Sequence, residues 1–260
     1  MELERETGWQ LHPIGGDTGQ AYMGTKDEKR LFLKRNSSPF LAALSLEGIS
    51  PKLVWTKRIG NGDVLTAQEW CNGRTLYKKE MKSSNVTQIV QKVHLSKSLK
   101  RMLHRLGGKV YSPIDFYREC VVGLDTELIH LPVIDKAITY LKRNMPEDID
   151  VERKVVCHGD ISHKNLLLTN EEELFLVDWD STLLADPLFD VSQLLERYIP
   201  YNEWKEWLKQ FNYVNESKES LRWYSIINIL LDIKIDFIKQ SESHLNKNIM
   251  KLNELLSIYE

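Results

Sequence analysis

Cysteine is scarce in this chain, three residues in 260, and Cys71, Cys120 and Cys157 stand far apart without metal-ligand spacing. So odd and scattered a set excludes a disulfide scaffold or a zinc module. It points to a reducing, cytoplasmic compartment in which each thiol serves as a small buried apolar residue. Charge of one sign is not in excess either: 35 Lys and Arg face 37 Asp and Glu, for a formal net charge of -2. No global basic field exists to hold nucleic acid or an acidic membrane. Long apolar runs are missing too. The longest, Ile226 to Ile238, is interrupted by Asn228, Asp232, Lys234 and Asp236, too short and too charged to span a bilayer. Met1 to Gln10 is polar and acidic, so no secretory signal is expected. Neither internal repeats nor low-complexity segments occur. What remains is the profile of a soluble globular protein, 42% apolar and 28% charged, long enough for one domain or for two lobes sharing a cleft.

The first seventy residues have the pattern of strands. Tyr22 to Thr25 and Leu31 to Lys34 flank the polar turn Lys26-Asp27-Glu28-Lys29, which predicts an antiparallel hairpin. Leu53 to Ile59 and Val64 to Trp70 flank Asn61-Gly62, a strong signal for a tight turn. Between these hairpins, Pro39 to Glu47 carries helix formers and a stop at Gly48. After Trp70 the character changes. Cys71-Asn72-Gly73 reads as a connector, Val86 to Leu106 and Ile134 to Arg143 as helices, and 113–130 as a loop with one short helix. From Leu183 onward the pattern is helical again and rich in aromatics.

Within that helical part, one stretch carries chemistry. Val155-Val156 leads into His158-Gly159-Asp160-Ile161-Ser162-His163-Lys164-Asn165; two apolar runs around the polar turn 170–173 follow, and Asp178-Trp179-Asp180 closes the unit. If 166–169 and 174–177 pair as a hairpin, Asn165 and Asp178 fall at the same open end, on strands about 4.8 Å apart. An amide oxygen and a carboxylate so placed can share one hard divalent cation, and oxygen ligands of this kind suit Mg²⁺ carrying phosphate. Asp160, on the loop feeding the same end, is placed to orient or deprotonate an attacking hydroxyl. Phosphoryl transfer needs that set, because its catalysis is mainly charge clamping and positioning of the nucleophile. The pattern H-G-D-x-x-x-x-N with a downstream D-W-D parallels the H-R-D-x-x-x-x-N and D-F-G grammar of protein kinases.

His158-Gly159-Asp160 with Asn165, then Val177-Asp178-Trp179-Asp180 and Asp186-Pro187 with Asp190, resembles the aminoglycoside phosphotransferase and choline kinase superfamily. The resemblance covers roughly residues 10 to 240. It implies an α+β, two-lobed, protein-kinase-like fold: a small antiparallel β-sheet lobe over 1–70 that binds nucleotide, and a larger, mainly helical lobe over 71–260. It implies ATP and Mg²⁺ as cofactors, with Asn165, Asp178 and Asp180 toward the metal and Lys34 on the nucleotide phosphates. Gly16, Asp17, Thr18 and Gly19 match loosely the loop over the phosphates, and Gln68, Glu69 and Trp70 the hinge whose backbone binds the base. The phrases AALSLEGISPKLVW, AQEWCNGRTL, HGDISHKN and FLVDWDS resemble, more closely, a cytoplasmic branch from Gram-positive cocci linked to cell-cycle control. That branch implies the primary hydroxyl of ribose or a nucleoside as acceptor, and a cell-division protein as a partner. A choline, ethanolamine or aminoglycoside kinase is the alternative, and a non-catalytic ATP-binding scaffold the alternative of another class.

The family's early helix glutamate is missing; Ser37 and Ser38 stand there, and Glu47 lies at the far end. Either Glu47 reaches Lys34 through a shifted helix or Lys34 is held otherwise. His158 is a candidate catalytic base, although a hydrogen bond that fixes the loop is the favoured reading. Asp180 reads equally as a second metal contact or a backbone cap. Asp186 and Asp190 read as braces of the loop or caps of the next helix. Trp204, Trp207, Trp223 and Tyr224, at helical spacing, read first as core, with a quaternary-ammonium cage or a stacking platform as the functional alternatives.

Overall fold

The computed structural model describes residues 2–14, 20–60, 62–214 and 217–257. A short helix α1 (Glu2–Thr7) precedes β1 (Gln10–Pro13), β2 (Ala21–Lys26) and β3 (Lys29–Arg35). Both predicted hairpins form. In the first, Lys26 faces Lys29 across a two-residue turn, and Asp27 and Glu28 take φ of 45° and 65°. That doubly left-handed turn matches the strand twist, here without the usual Asn-Gly. The second joins β4 (Leu53–Arg58) to β5 (Val64–Glu69), with Gly62 at φ 91°. The five strands form one antiparallel sheet in the order β1-β2-β3-β5-β4, one strand more than the two hairpins supply.

Helix α2 (Phe40–Leu46) lies where predicted and stops at Gly48, which adopts φ 61° while its amide bonds the Ser45 carbonyl and that of Ile49 bonds Leu44. This is a left-handed helix end that only glycine adopts without strain. Although α2 lies between the sheet strands in sequence, Phe40, Leu44 and Ile49 join the core of the helical part. The sheet keeps a small core of its own from Leu31, Leu33, Ile59, Leu65 and Ala67. Moreover, the Ile49 carbonyl accepts from the Leu176 amide at 2.9 Å. The segment between β3 and β4 is thereby pinned to the hairpin expected to carry the chemistry.

Four later predictions differ from the structure. Gly73, expected in a connector, opens β6 (Gly73–Thr75). The single helix over 86–106 is two, α3 (Ser84–Leu95) and α4 (Lys97–Arg105), because Ser96 leaves helical geometry and its Oγ caps the Leu99 amide at 3.0 Å. A serine side chain competes with the helix for the backbone and favours the cap. Over 113–130, α5 (Pro113–Val121) starts from Ser112 with Pro113 in its first turn and Asp115 closing a capping box, and α6 (Thr126–Ile129) starts from Asp125. Helix α7 (Pro132–Arg143) follows as expected, then β7 (Val155–Cys157). The predicted hairpin is β8 (Leu166–Thr169) with β9 (Leu174–Leu176), and β6 adds a third strand. Leu183 begins not a helix but β10 (Leu183–Ala185), paired antiparallel with β7 from 28 residues away. The remainder is helical: α8 (Leu188–Tyr198), α9 (Trp204–Leu208), α10 (Lys218–Ile238) and α11 (Glu242–Ser257).

Among the described residues no helix is long and apolar enough to cross a membrane. Cys120 and Cys157 are buried as expected, whereas Cys71 is partly exposed, and all three are free thiols. Ser96→Ala removes the α4 cap together with a hydroxyl that bonds Glu47 at 2.7 Å. It should lower unfolding free energy by about 1–2 kcal/mol in urea denaturation.

Candidate active site

The loop between β7 and β8 is built on a buried carboxylate. Asp190, in the first turn of α8 and 1% exposed, accepts from the His158 amide at 2.8 Å and from the Gly159 amide at 3.0 Å. His94 Nε2 lies 3.0 Å from the same carboxylate, while its Nδ1 meets the Tyr213 hydroxyl at 2.8 Å. One turn along α8, Gln193 accepts from the Ile161 amide at 2.8 Å and donates to the Gly159 carbonyl at 2.8 Å. Gly159 itself has φ 85°, and a Cβ there would stand 2.3 Å from the Ser181 carbonyl oxygen. Conformation and space both demand glycine.

His158 is wholly buried. Its Nδ1 accepts from the Asp160 amide at 3.2 Å and its Nε2 donates to the Val177 carbonyl at 3.0 Å. Both ring nitrogens are spent on backbone, which fits the neutral tautomer with the proton on Nε2. The candidate role of catalytic base is therefore corrected: His158 ties the loop to the end of β9 and has no face toward solvent. The ring of Trp179, 4.7 Å away, lies between it and Phe40 of α2.

The hairpin brings its two ends together. The Val177 amide donates to the Asn165 carbonyl at 2.9 Å, next to Asp178. Asn165 Nδ2 donates to the Asp160 carbonyl at 2.9 Å and to Asp160 Oδ2 at 3.2 Å, so the amide oxygen points away from that carboxylate. Asp178 is held at φ 66°, a backbone position costly for any residue with a Cβ and one that marks functional turns.

Lys34, near the end of β3, crosses to this cluster. Its ammonium bonds Asp178 Oδ1 at 2.9 Å and Asp180 Oδ2 at 2.8 Å, and the two carboxylates are about half exposed. Burial works against the charge on Lys34, but the hydrogen bonds it donates to Asp180 and Asp178, with the negative charge of those carboxylates, outweigh it and raise its pKa. The question of Glu47 is answered as well: its carboxylate takes the hydroxyls of Ser96 and Ser98 at 2.7 Å each, and Lys34 is held by Asp178 and Asp180 instead.

Gly16, Asp17, Thr18 and Gly19 lie outside the described residues. Gln68 is buried and its side chain donates to the Pro51 carbonyl at 2.7 Å; the Glu69 amide donates to Lys52 at 2.8 Å. Trp70 follows the last ladder pair, Leu31 with Glu69, under the Arg30 guanidinium. Trp204, Trp207, Trp223 and Tyr224 are all buried, and the indole nitrogens of Trp204 and Trp223 bond the Ile199 and Leu141 carbonyls. These four rings are core and form no open cage.

Sequence reasoning missed Arg197. Its Nη1 bonds Asp160 Oδ1 at 3.1 Å, and it forms an ion pair with Asp232 on α10 at 2.7 Å. One signal was available. Asp190, Gln193 and Arg197 are spaced by three and four, a polar stripe along a helix whose other positions are mostly apolar.

The sequence profile of the phosphotransferase enzyme family matches residues 10–224. A segment of 50 residues is 36% identical to protein LicA of Haemophilus influenzae, spanning 18% of this chain and 18% of that relative. Among solved structures, choline kinase LicA from Streptococcus pneumoniae is similar with a TM-score of 0.73 at 16% identity, covering 99% of this chain and 96% of that one. A ternary complex of a thermostable variant of aminoglycoside phosphotransferase APH(4)-Ia with ADP and hygromycin B is similar with a TM-score of 0.67 at 12% identity, covering 98% and 96%. At such identities the likeness to the solved structures carries the fold, the two-lobed α+β arrangement expected from sequence.

Gly159→Ala and Gly107→Ala separate strain from collision, since Gly107 has φ 72° with nothing within 4 Å of an added Cβ. Gly107→Ala should cost about 1 kcal/mol. Gly159→Ala should cost clearly more, seen as a melting temperature depressed several degrees further, because the added carbon meets backbone.

Proposed function

The chain belongs to the phosphotransferase enzyme family, and from that footing we propose that it is an ATP- and Mg²⁺-dependent kinase that phosphorylates a hydroxyl of a small molecule. The favoured acceptor is the primary hydroxyl of ribose or of a nucleoside. The observation that supports this best is the convergence of Lys34, Asp178 and Asp180 on one side of the β8–β9 hairpin end with Asn165 and Asp160 on the other.

The residues suit a magnesium ion. Asn165 spends its nitrogen on Asp160 and keeps its oxygen free of that contact. Asp178 and Asp180 are exposed carboxylates already sharing the positive charge of Lys34. Such an all-oxygen set is the kind a hard cation takes, with Asn165, Asp178 and Asp180 as the holders; the chemistry supplied there is neutralisation of phosphate charge. Lys34 exchanges its carboxylates for phosphate oxygens when nucleotide enters. Asp160, with one carboxylate oxygen on Asn165 and the other on Arg197, orients the acceptor hydroxyl and takes its proton as the oxygen bonds the γ-phosphorus and the bond from that phosphorus to the departing ADP oxygen breaks.

One observation supports a neutral acceptor over a choline-like one: Trp204, Trp207, Trp223 and Tyr224, the candidates for a quaternary-ammonium cage, are buried in the core. A place in bacterial cell-cycle control, with a division-protein partner, belongs to the same reading and rests on sequence resemblance alone.

An ATP-consumption screen with Mg²⁺ tests the proposal, comparing wild type with Asp160→Ala on ribose, 2-deoxyribose, nucleosides, choline, ethanolamine and aminoglycosides. Turnover of a sugar or nucleoside is expected, falling about 10²–10⁴-fold in the variant. Turnover of choline or an aminoglycoside alone would overturn the acceptor. ATP binding with no acceptor-dependent turnover would favour a scaffold.

A further inference from the structure

We propose that Arg197 is a positioning residue for Asp160, held in place by the two C-terminal helices; the inference rests on the kinase reading of that site. Nη1 of Arg197 donates to Asp160 Oδ1 at 3.1 Å and to the Ile161 carbonyl at 3.0 Å, so a single nitrogen grips both the side chain and the backbone of the loop. Nε and Nη2 form a two-pronged pair with Asp232 of α10, at 3.2 and 2.7 Å. A bidentate guanidinium–carboxylate pair fixes orientation as well as distance. Behind it, Glu196 Oε1 lies 3.2 Å from Arg197 Nε, and Lys251 of α11 bonds Glu196 Oε2 at 3.1 Å.

The consequence lies in the Asp160 carboxylate, whose side chain is half exposed. A carboxylate held through one oxygen rotates about its terminal bond. Here Asn165 Nδ2 holds Oδ2 and Arg197 holds Oδ1, so its plane is set before any acceptor arrives. Orientation of that group decides the reaction geometry, and a misplacement of about 1 Å costs on the order of 10²-fold in rate. The anchors lie beyond the family match, which ends at residue 224, while Asp232 and Lys251 come later. Helices α10 and α11 are thus part of the catalytic apparatus in this chain, acting through Arg197.

The test uses the full chain and an acceptor that wild type turns over. Arg197→Gln should lower kcat about tenfold or more, with the KM for ATP unchanged within about twofold, because the nucleotide contacts lie on Lys34. Arg197→Lys should recover part of the loss, and Asp232→Asn should lower kcat in the same direction but less. The Arg197→Gln/Asp232→Asn pair should be no slower than Arg197→Gln alone, as expected of residues acting as one unit. Lys154→Gln supplies the structural control: that cation is 5% exposed and bonds Asp148 and the Tyr111 carbonyl, away from Asp160. It should lower the melting temperature and leave kcat in place. A kcat in Arg197→Gln equal to wild type, or a rise in the KM for ATP at constant kcat, overturns the positioning role while wild-type turnover keeps the kinase reading intact. Wild type inactive on every acceptor overturns both. Should Arg197→Gln fail to fold, the Arg197→Lys and Asp232→Asn kinetics decide on the same criteria.

Discussion

The Asp190 carboxylate, buried beneath the loop that bears Asp160, is the constraint on which the site depends. A carboxylate removed from water is tolerated only when its oxygens are filled by donors. Here they are filled by two consecutive backbone amides, those of His158 and Gly159, and by the His94 ring. Two adjacent amides can turn toward one carboxylate only if the chain bends sharply between them. That bend is the φ 85° of Gly159, which brings the loop against the Ser181 carbonyl and leaves no room for a Cβ. The same bend presents Asp160 outward. Its amide returns to His158 Nδ1, and the other nitrogen of that ring ties off Val177 at the end of β9. The loop and the Asp178 segment are therefore fixed to each other through a histidine buried away from solvent.

A second constraint comes from the other end of the chain. Lys34 belongs to the sheet, while Asp178 and Asp180 follow the hairpin of the helical part, and one ammonium joins them. An ion pair this exposed adds little to stability. The register between the two halves rests instead on apolar packing: α2 buries Phe40 and Leu44 in the larger core, Phe40 meets Trp179, and Ile49 pairs with the edge of β9. Lys34 reaches its carboxylates because the segment after β3 is locked to the hairpin that carries them. The register of the two halves thus does not depend on this ion pair.

The division between what the sequence disclosed and what it withheld follows the range of the interactions. Both hairpins of the sheet, the helix that ends at Gly48 and the pairing of β8 with β9 were legible, because each is set by residues within about ten positions of one another. From the last of these the proximity of Asn165 and Asp178 followed by geometry alone. Strand β10 was not legible: three apolar residues look the same in a helix or a strand until the partner is known, and β7 lies 28 residues upstream. The break at Ser96 was hidden because the apolar period continues across it and only the side-chain cap interrupts it. Arg197 stayed hidden for another reason. A charged residue late in a helix is usually a solvated one, and nothing local says that its partners are Asp160, 37 positions away, and Asp232, 35 positions away.

Asp190, Gln193 and Arg197 also explain why so much rests on a single helix. They are spaced by three and four, so α8 presents them on one side, along the loop it supports. Asp190 takes the amides of 158 and 159, Gln193 takes the amide of 161 and the carbonyl of 159, and Arg197 takes the carbonyl of 161 and the side chain of 160. Most of the backbone hydrogen-bonding groups between 158 and 161 are thus matched by side chains from one rigid element rather than by a sheet or by water. An irregular loop bonded in that way has few alternative conformations, since moving one residue strands polar groups at its neighbours. Precision at Asp160 is then a property of α8 and of what holds α8. With Asp232 and Lys251 anchoring the far end of the stripe, that support extends through α10 and α11 to the end of the described chain.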